Sequence, residues 1–205
     1  MTYEPAAEEM HLEVLGMLHE RGDTIVLLGP HEPGFWPAFT KSPEYRDGSP
    51  DPLDRWSKRV ITELSCRWGG EAIFPSDGPP YPPFLAWARA SGHAWDSPVG
   101  MLVHSNAGLL VSYRGAIRIP KELPLPSSAP NPCADCNAPC LRACPVSALG
   151  PEGYDVAACK GHLNDTDSAD CMGSGCAARR SCPVSQSYGR LAAQSAFHMK
   201  AFNPT

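Results

Sequence analysis

Eight of the chain's nine cysteines fall between Cys133 and Cys182. So short a stretch, carrying so many thiols, cannot bury enough apolar surface to hold itself together. Something bound by the sulfurs, or formed between them, must do it. The eight fall into two sets: Cys133, Cys136, Cys140 and Cys144, then Cys159, Cys171, Cys176 and Cys182. Each set ends in Cys-Pro, at Cys144-Pro145 and Cys182-Pro183. Proline fixes φ and has no N–H, so the chain leaves both cysteines in a set direction.

The first set reads C-x2-C-x3-C-x3-C-P. The iron–sulfur run of bacterial ferredoxins is C-x2-C-x2-C-x3-C-P, and its fourth cysteine ligates the other cluster. One turn of chain can present three thiolates to three corners of a cubane, and the fourth corner needs a ligand from elsewhere. The second Cys-Pro supplies it. The second set is looser, but it brings the total to eight thiolates for two [4Fe-4S] clusters. The expected pairing is crossed: Cys133, Cys136 and Cys140 with Cys182, and Cys159, Cys171 and Cys176 with Cys144. Two other readings compete. Zinc ribbons also use C-x2-C pairs, and Cys159-x2-His162 could form a mixed zinc site in a non-redox interaction module. Disulfides would need an oxidising compartment.

The remaining sequence narrows the function classes. Net charge is −5 with no basic run, which argues against a nucleic-acid surface. No stretch of eighteen apolar residues is available to span a membrane. The opening MTYEPAAEEM is acidic and lacks the apolar core of a secretory signal. A cytoplasmic setting, with reduced thiols or metal ligands, is therefore expected. The 23 prolines imply loop-rich connections.

Read in order, residues 7–21 have Met10, Val14, Met17 and Leu18 at helical spacing, with Gly22 as a C-cap. Residues 24–28 form an apolar strand. Residues 29–50 form a long loop carrying Phe35, Trp36, Phe39 and Tyr45. Its aromatics could cover a flat ligand or simply pack the loop on the core. Asp51 and Pro52 open a second helix whose stripe is Leu53, Trp56, Val60, Leu64 and Trp68, closed by Gly69. Cys66 lies off that stripe and reads as a spare thiol. A strand at 71–74 follows, then a turn-rich crossing through Asp77 and Tyr81, and a helix over 84–90. Residues 99–104 and 109–113 predict a β-hairpin around Ser105–Gly108, and 116–119 extend the sheet. The Pro/Ser-rich stretch 121–132 divides an α/β domain (1–120) from the cysteine module (133–205). Residues 185–202 close the chain as a helix.

Three stretches together resemble one family. They are Asp77-Gly-Pro-Pro-Tyr-Pro-Pro-Phe-Leu-Ala-Trp-Ala-Arg-Ala-Ser-Gly92, Met101-Leu-Val-His-Ser-Asn-Ala-Gly-Leu-Leu110, and the two cysteine sets with their Cys-Pro ends. In these the chain resembles epoxyqueuosine reductase and, more distantly, the reductive dehalogenases, over about half its length. That resemblance implies an α+β protein, with a nitroreductase-like N-terminal domain followed by a small ferredoxin-like module with two clusters. It implies a cobalamin between the two, with flavin the second candidate. Asp77 would be the proton donor, although Ser-Asp-Gly-Pro is also an ordinary turn. From the residues themselves, a large planar ligand would stack against Phe35, Trp36 or Tyr81, with His104 a further cofactor-binding candidate; a redox protein is the expected partner. The chain departs from the family in its longer cysteine gaps. It also lacks the C-terminal helical repeats that help hold tRNA, so queuosine biosynthesis is not implied.

Overall fold

The computed structural model describes residues 3–165 and 169–204. The protein is mixed α+β with small antiparallel sheets. In chain order the elements begin with α1 (Tyr3–Glu8), β1 (Leu12–Glu20), β2 (Asp23–Pro30), α2 (Phe35–Phe39), α3 (Pro43–Arg46) and α4 (Pro52–Trp68). Next come β3 (Glu71–Ile73), α5 (Phe84–Ala90), β4 (Ala94–Asp96), β5 (Leu102–His104) and β6 (Gly115–Ile119). The cysteine-rich part holds α6 (Cys140–Ala143), β7 (Leu149–Gly150), β8 (Gly153–Tyr154), α7 (Val156–Leu163), α8 (Ala169–Ser174), α9 (Ala177–Arg180), α10 (Pro183–Ser187) and α11 (Ala192–Phe202). Two compact units result: Met1–His93 with Ser112–Ala129, and Ala94–Val111 with Pro130–Thr205. Residues 94–111, read from sequence as part of the first domain, thus belong with the cysteines.

The first unit is built on an antiparallel sheet in the order β1-β2-β6-β3. The helix expected over 7–21 is a strand. Arg21 and Gly22 both take positive φ, 56° and 87°, and Glu20 pairs with Asp23 across them. That is a two-residue hairpin turn, and its twist matches that of the strands it joins. A bulge between Val14 and Gly16 inserts an extra residue into β1. It breaks the period of two and leaves a burial pattern that imitates a helix face. Tertiary pairing with β2 then overrides the local signal. β2 is the centre of the sheet, and Ile25, Val26, Leu27 and Leu28 are fully buried.

α4 packs on β3 and β6 with Leu53, Trp56, Val60, Ile61, Leu64 and Trp68 buried. The side chain of Asp51 makes no capping bond, because its backbone is left-handed at φ 51°. α5 packs on β1 and β2, and the Trp87 indole N–H donates to Glu20 at 2.7 Å. The stretch 120–129 is pinned to this unit. Thr24 Oγ1 donates to the Lys121 carbonyl at 2.7 Å and accepts from the Leu123 amide at 2.9 Å. The Ala129 amide donates to the Gly92 carbonyl at 3.1 Å.

In the second unit β5 pairs with β4, His104 opposite Ala94. The hairpin expected between 99–104 and 109–113 does not form. Only a single bridge joins His104 to Gly108, because the ladder's hydrogen-bonding groups are engaged elsewhere. The Leu109 amide donates to Ser185 Oγ at 2.9 Å, and the Leu109 carbonyl accepts from Arg179 Nε at 2.5 Å. Val99, Val103 and Leu109 instead share a core with Cys140, Leu149, Ala178 and Cys182. The closing helix is broken in two. Gly189, at φ 83°, separates α10 from α11. Among the described residues, no helix is long and apolar enough to cross a membrane.

Candidate metal centres

The run from Cys133 to Cys144 divides at α6. Cys140 is the first residue of this one-turn helix and is buried; Cys144 is the residue just past its end, with extended backbone at φ −74°, ψ 120°. Pro145 then forces the chain away. The second set repeats the device. Cys176 precedes α9 with φ −50°, ψ 122°, and Cys182 precedes α10 with φ −63°, ψ 124° and Pro183 at its first helical position. α6 and α9 pack together, with Ala178 fully buried. In each set, one helical turn carries the chain from one cysteine environment to another.

Those environments are two cavities. The first, about 570 Å³, is lined by Cys133, Cys136, Cys140 and Cys182. The second, about 190 Å³, is lined by Cys144, Cys159, Cys171 and Cys176. This is the crossed grouping expected from the two Cys-Pro ends. The electrostatics name the same neighbours. Burial pushes the Cys133 thiol up, and Cys136, Cys182 and Cys140 add to it. Burial likewise pushes Cys140 up, with Cys182 and Cys136 contributing. In the second cavity, burial raises Cys171, and Cys176 adds to it. Burial raises Tyr154, as does a hydrogen bond with Cys159. Thiols that resist ionisation singly must lose their protons together when a metal binds. None of the nine cysteines is in a disulfide.

Among the described residues, no three His, Cys, Asp or Glu side chains converge on one point that could hold a single ion. Each set of four instead lines a space. Ser97 is a buried polar residue beside the first cavity. It is 8% exposed and lines the cavity, and its Oγ is shut off from water with no hydrogen-bond partner. A buried hydroxyl without an acceptor costs about 1–3 kcal/mol. Arg179 lines the second cavity. Ser97 is marked by no spacing in the sequence, since it reaches the first cavity only through the folding of 94–111 against the cysteine segments; Arg179 is local to Cys176, but its bonds to the Leu109 and Val111 carbonyls depend on the same return.

The other expected residues lie elsewhere. Cys66 is exposed on α4. Asp77 accepts from the Phe74 amide at 2.8 Å, and Lys58 Nζ lies 4.0 Å away; it is a turn residue with a solvent-facing carboxylate. Phe35 and Trp36 do not form a lid. Phe35 is fully buried and Trp36 nearly so, packed with Phe39, Tyr45 and Trp56 at ring separations of 5.2–5.9 Å. This ring cluster anchors the 29–50 stretch onto α4. Tyr81 is exposed. His104 is buried, and its Nδ1 accepts from the Asn106 and Ala107 amides at 3.1 and 3.2 Å. That ties off its own turn. His162 lines the second cavity with Cys159. Comparison of the chain with protein-family models, curated proteins and solved structures finds no match.

Proposed function

We propose that the protein is an iron–sulfur electron carrier, or the electron-transfer part of a reductase, with two [4Fe-4S] clusters in its second unit. One observation carries the reading: the eight cysteines separate four and four into two cavities, in the combination that a two-cluster ferredoxin-type run requires. Cys133, Cys136, Cys140 and Cys182 hold one cluster. Cys144, Cys159, Cys171 and Cys176 hold the other. The clusters supply reversible one-electron chemistry. The chain's own residues fix the ligands, shield them from water with Val103, Leu109 and Leu149, and offer Ser97 as a hydrogen-bond donor. The resemblance to epoxyqueuosine reductase supports iron over zinc through its Cys-Pro ends. No cobalamin or flavin site is proposed, because Phe35, Trp36 and His104 are committed to the protein's own packing and turns.

Anaerobic purification and reconstitution, followed by metal analysis, test the reading. About eight iron and eight acid-labile sulfide per chain are expected, with broad visible absorbance that bleaches on reduction. About two zinc per chain with no sulfide would replace it with the interaction-module reading.

A further inference from the structure

The second cavity contains a cation that the ligand set does not account for. Arg179 follows Cys176 by three residues, at the end of the single turn of α9. Its Nε donates to the Leu109 carbonyl at 2.5 Å and its Nη2 to the Val111 carbonyl at 3.3 Å. Both partners are neutral. Among the described residues, the other charged groups that act on it are Arg190, of like sign, and Cys176. Burial, with Arg190 adding, lowers it to about 10, so it remains cationic at neutral pH. Arg179 is half-buried, and a guanidinium drawn partly out of water with no carboxylate beside it among the described residues is costly unless another negative charge faces it. The thiolates of Cys144, Cys159, Cys171 and Cys176 are what the cavity offers.

We propose that Arg179 is a positioning residue that sets the reduction potential of the cluster held by those four cysteines. This rests on the two-cluster reading. When the cluster takes one electron, from dithionite in the test below, its negative charge rises by one and the dithionite is oxidised. A fixed positive charge in a low-dielectric setting stabilises the more negative state. The potential of this cluster is therefore raised, since net charge and hydrogen bonding around the sulfurs are what tune it. The two backbone carbonyls hold the fork in place, so the segment 94–111 helps position the charge as well as fill the core.

The test is a dithionite titration of the full-length, cluster-loaded protein, followed by electron paramagnetic resonance, in wild type, Arg179→Gln and Arg179→Lys. In Arg179→Gln, one of the two signals should become harder to reduce by about tenfold, which is 59 mV for one electron, while the other stays in place. Arg179→Lys keeps the charge and should hold most of the wild-type potential. Two intact clusters with unmoved potentials in Arg179→Gln overturn the inference and leave the two-cluster reading standing. Should Arg179→Gln fail to assemble its second cluster, the Lys variant decides. A Lys potential that falls tenfold despite the retained charge assigns the effect to the hydrogen-bonded carbonyls and overturns the charge argument. Failure of the wild type to bind iron and sulfide is a different result, and it removes the two-cluster reading itself.

Discussion

Gly108 offers a quantitative test of how the segment 94–111 supports the first cysteine cavity. It sits at φ 57°, and a Cβ there would lie 2.5 Å from the Ser185 amide nitrogen, 2.6 Å from Ser185 Oγ and 3.0 Å from Ser185 Cα. The nitrogen and Cα are backbone atoms of α10, which begins directly after Cys182, so the contact cannot be relieved by turning a side chain. Gly108→Ala carries two costs. Left-handed backbone in an L-residue costs roughly 1–2 kcal/mol, and overpacking against a fixed neighbour costs about 1–3 kcal/mol more. Gly100 isolates the second of these. It has φ 73°, and a Cβ there would meet nothing within 4 Å, so Gly100→Ala carries the backbone cost alone. The unfolded-chain effect of Gly to Ala is common to both and cancels. The difference of about 1–3 kcal/mol corresponds to about 2–12 °C in melting temperature for a chain of this size. The assay is anaerobic thermal unfolding of the loaded proteins at one scan rate, since cluster loss makes the transition irreversible. Circular dichroism and cluster absorbance are recorded together. Gly108→Ala should melt well below Gly100→Ala and lose absorbance from one cluster first. Equal melting of the two variants would refute the docking of residues 107–110 behind Cys182.

Three further outcomes are expected. Gly175, at φ 94°, has Ser195 Cβ 2.5 Å from its own missing Cβ, so Gly175→Ala should displace α11 from the Cys171–Cys176 loop and weaken the second cluster; iron retention after gel filtration measures it. Glu44 makes a two-point contact with Arg59, at 2.5 and 3.1 Å, and that guanidinium holds its carboxyl down at about 2. Because the folded value lies below the ordinary one near 4.3, the stabilisation is present above about pH 4.3 and is lost as pH falls towards 2. Glu44→Gln should cost about 1–2 kcal/mol at neutral pH and flatten the acid limb of stability between those values, read by urea unfolding of the metal-free chain against wild type. Cys66→Ala should leave iron and sulfide content unchanged, since that thiol is exposed on α4.

The four-and-four grouping of the cysteines around two cavities was legible because their spacing is local. Two Cys-Pro ends, each following a short run, lead to the expectation that the last cysteine of each set lies with the other set, and α6 and α9 are the single turns that carry the chain between the two cavities. The helix α4 was legible from its apolar stripe and Pro52. β1 was not, because its bulge at Val14–Gly16 converts a strand into something with helical spacing, and only the Arg21-Gly22 turn betrays the hairpin. The aromatic stretch after β2 gave residue types but not their direction: Phe35 and Trp36 face Trp56 rather than a ligand. Ser97 was invisible because it reaches the first cavity only through the return of 94–111 to the cysteine segments, and the bonds of Arg179 to the Leu109 and Val111 carbonyls depend on the same long-range contact, which no periodicity encodes.

The ligand grouping is tested most directly by comparing four single variants, Cys140→Ala, Cys144→Ala, Cys176→Ala and Cys182→Ala, by electron paramagnetic resonance of the anaerobically reduced proteins. The crossed arrangement predicts that Cys182→Ala and Cys140→Ala lose or alter the same signal, and that Cys144→Ala and Cys176→Ala alter the other. If Cys144→Ala instead matches Cys140→Ala, and Cys182→Ala matches Cys176→Ala, each set keeps its own cluster and the crossed arrangement is wrong.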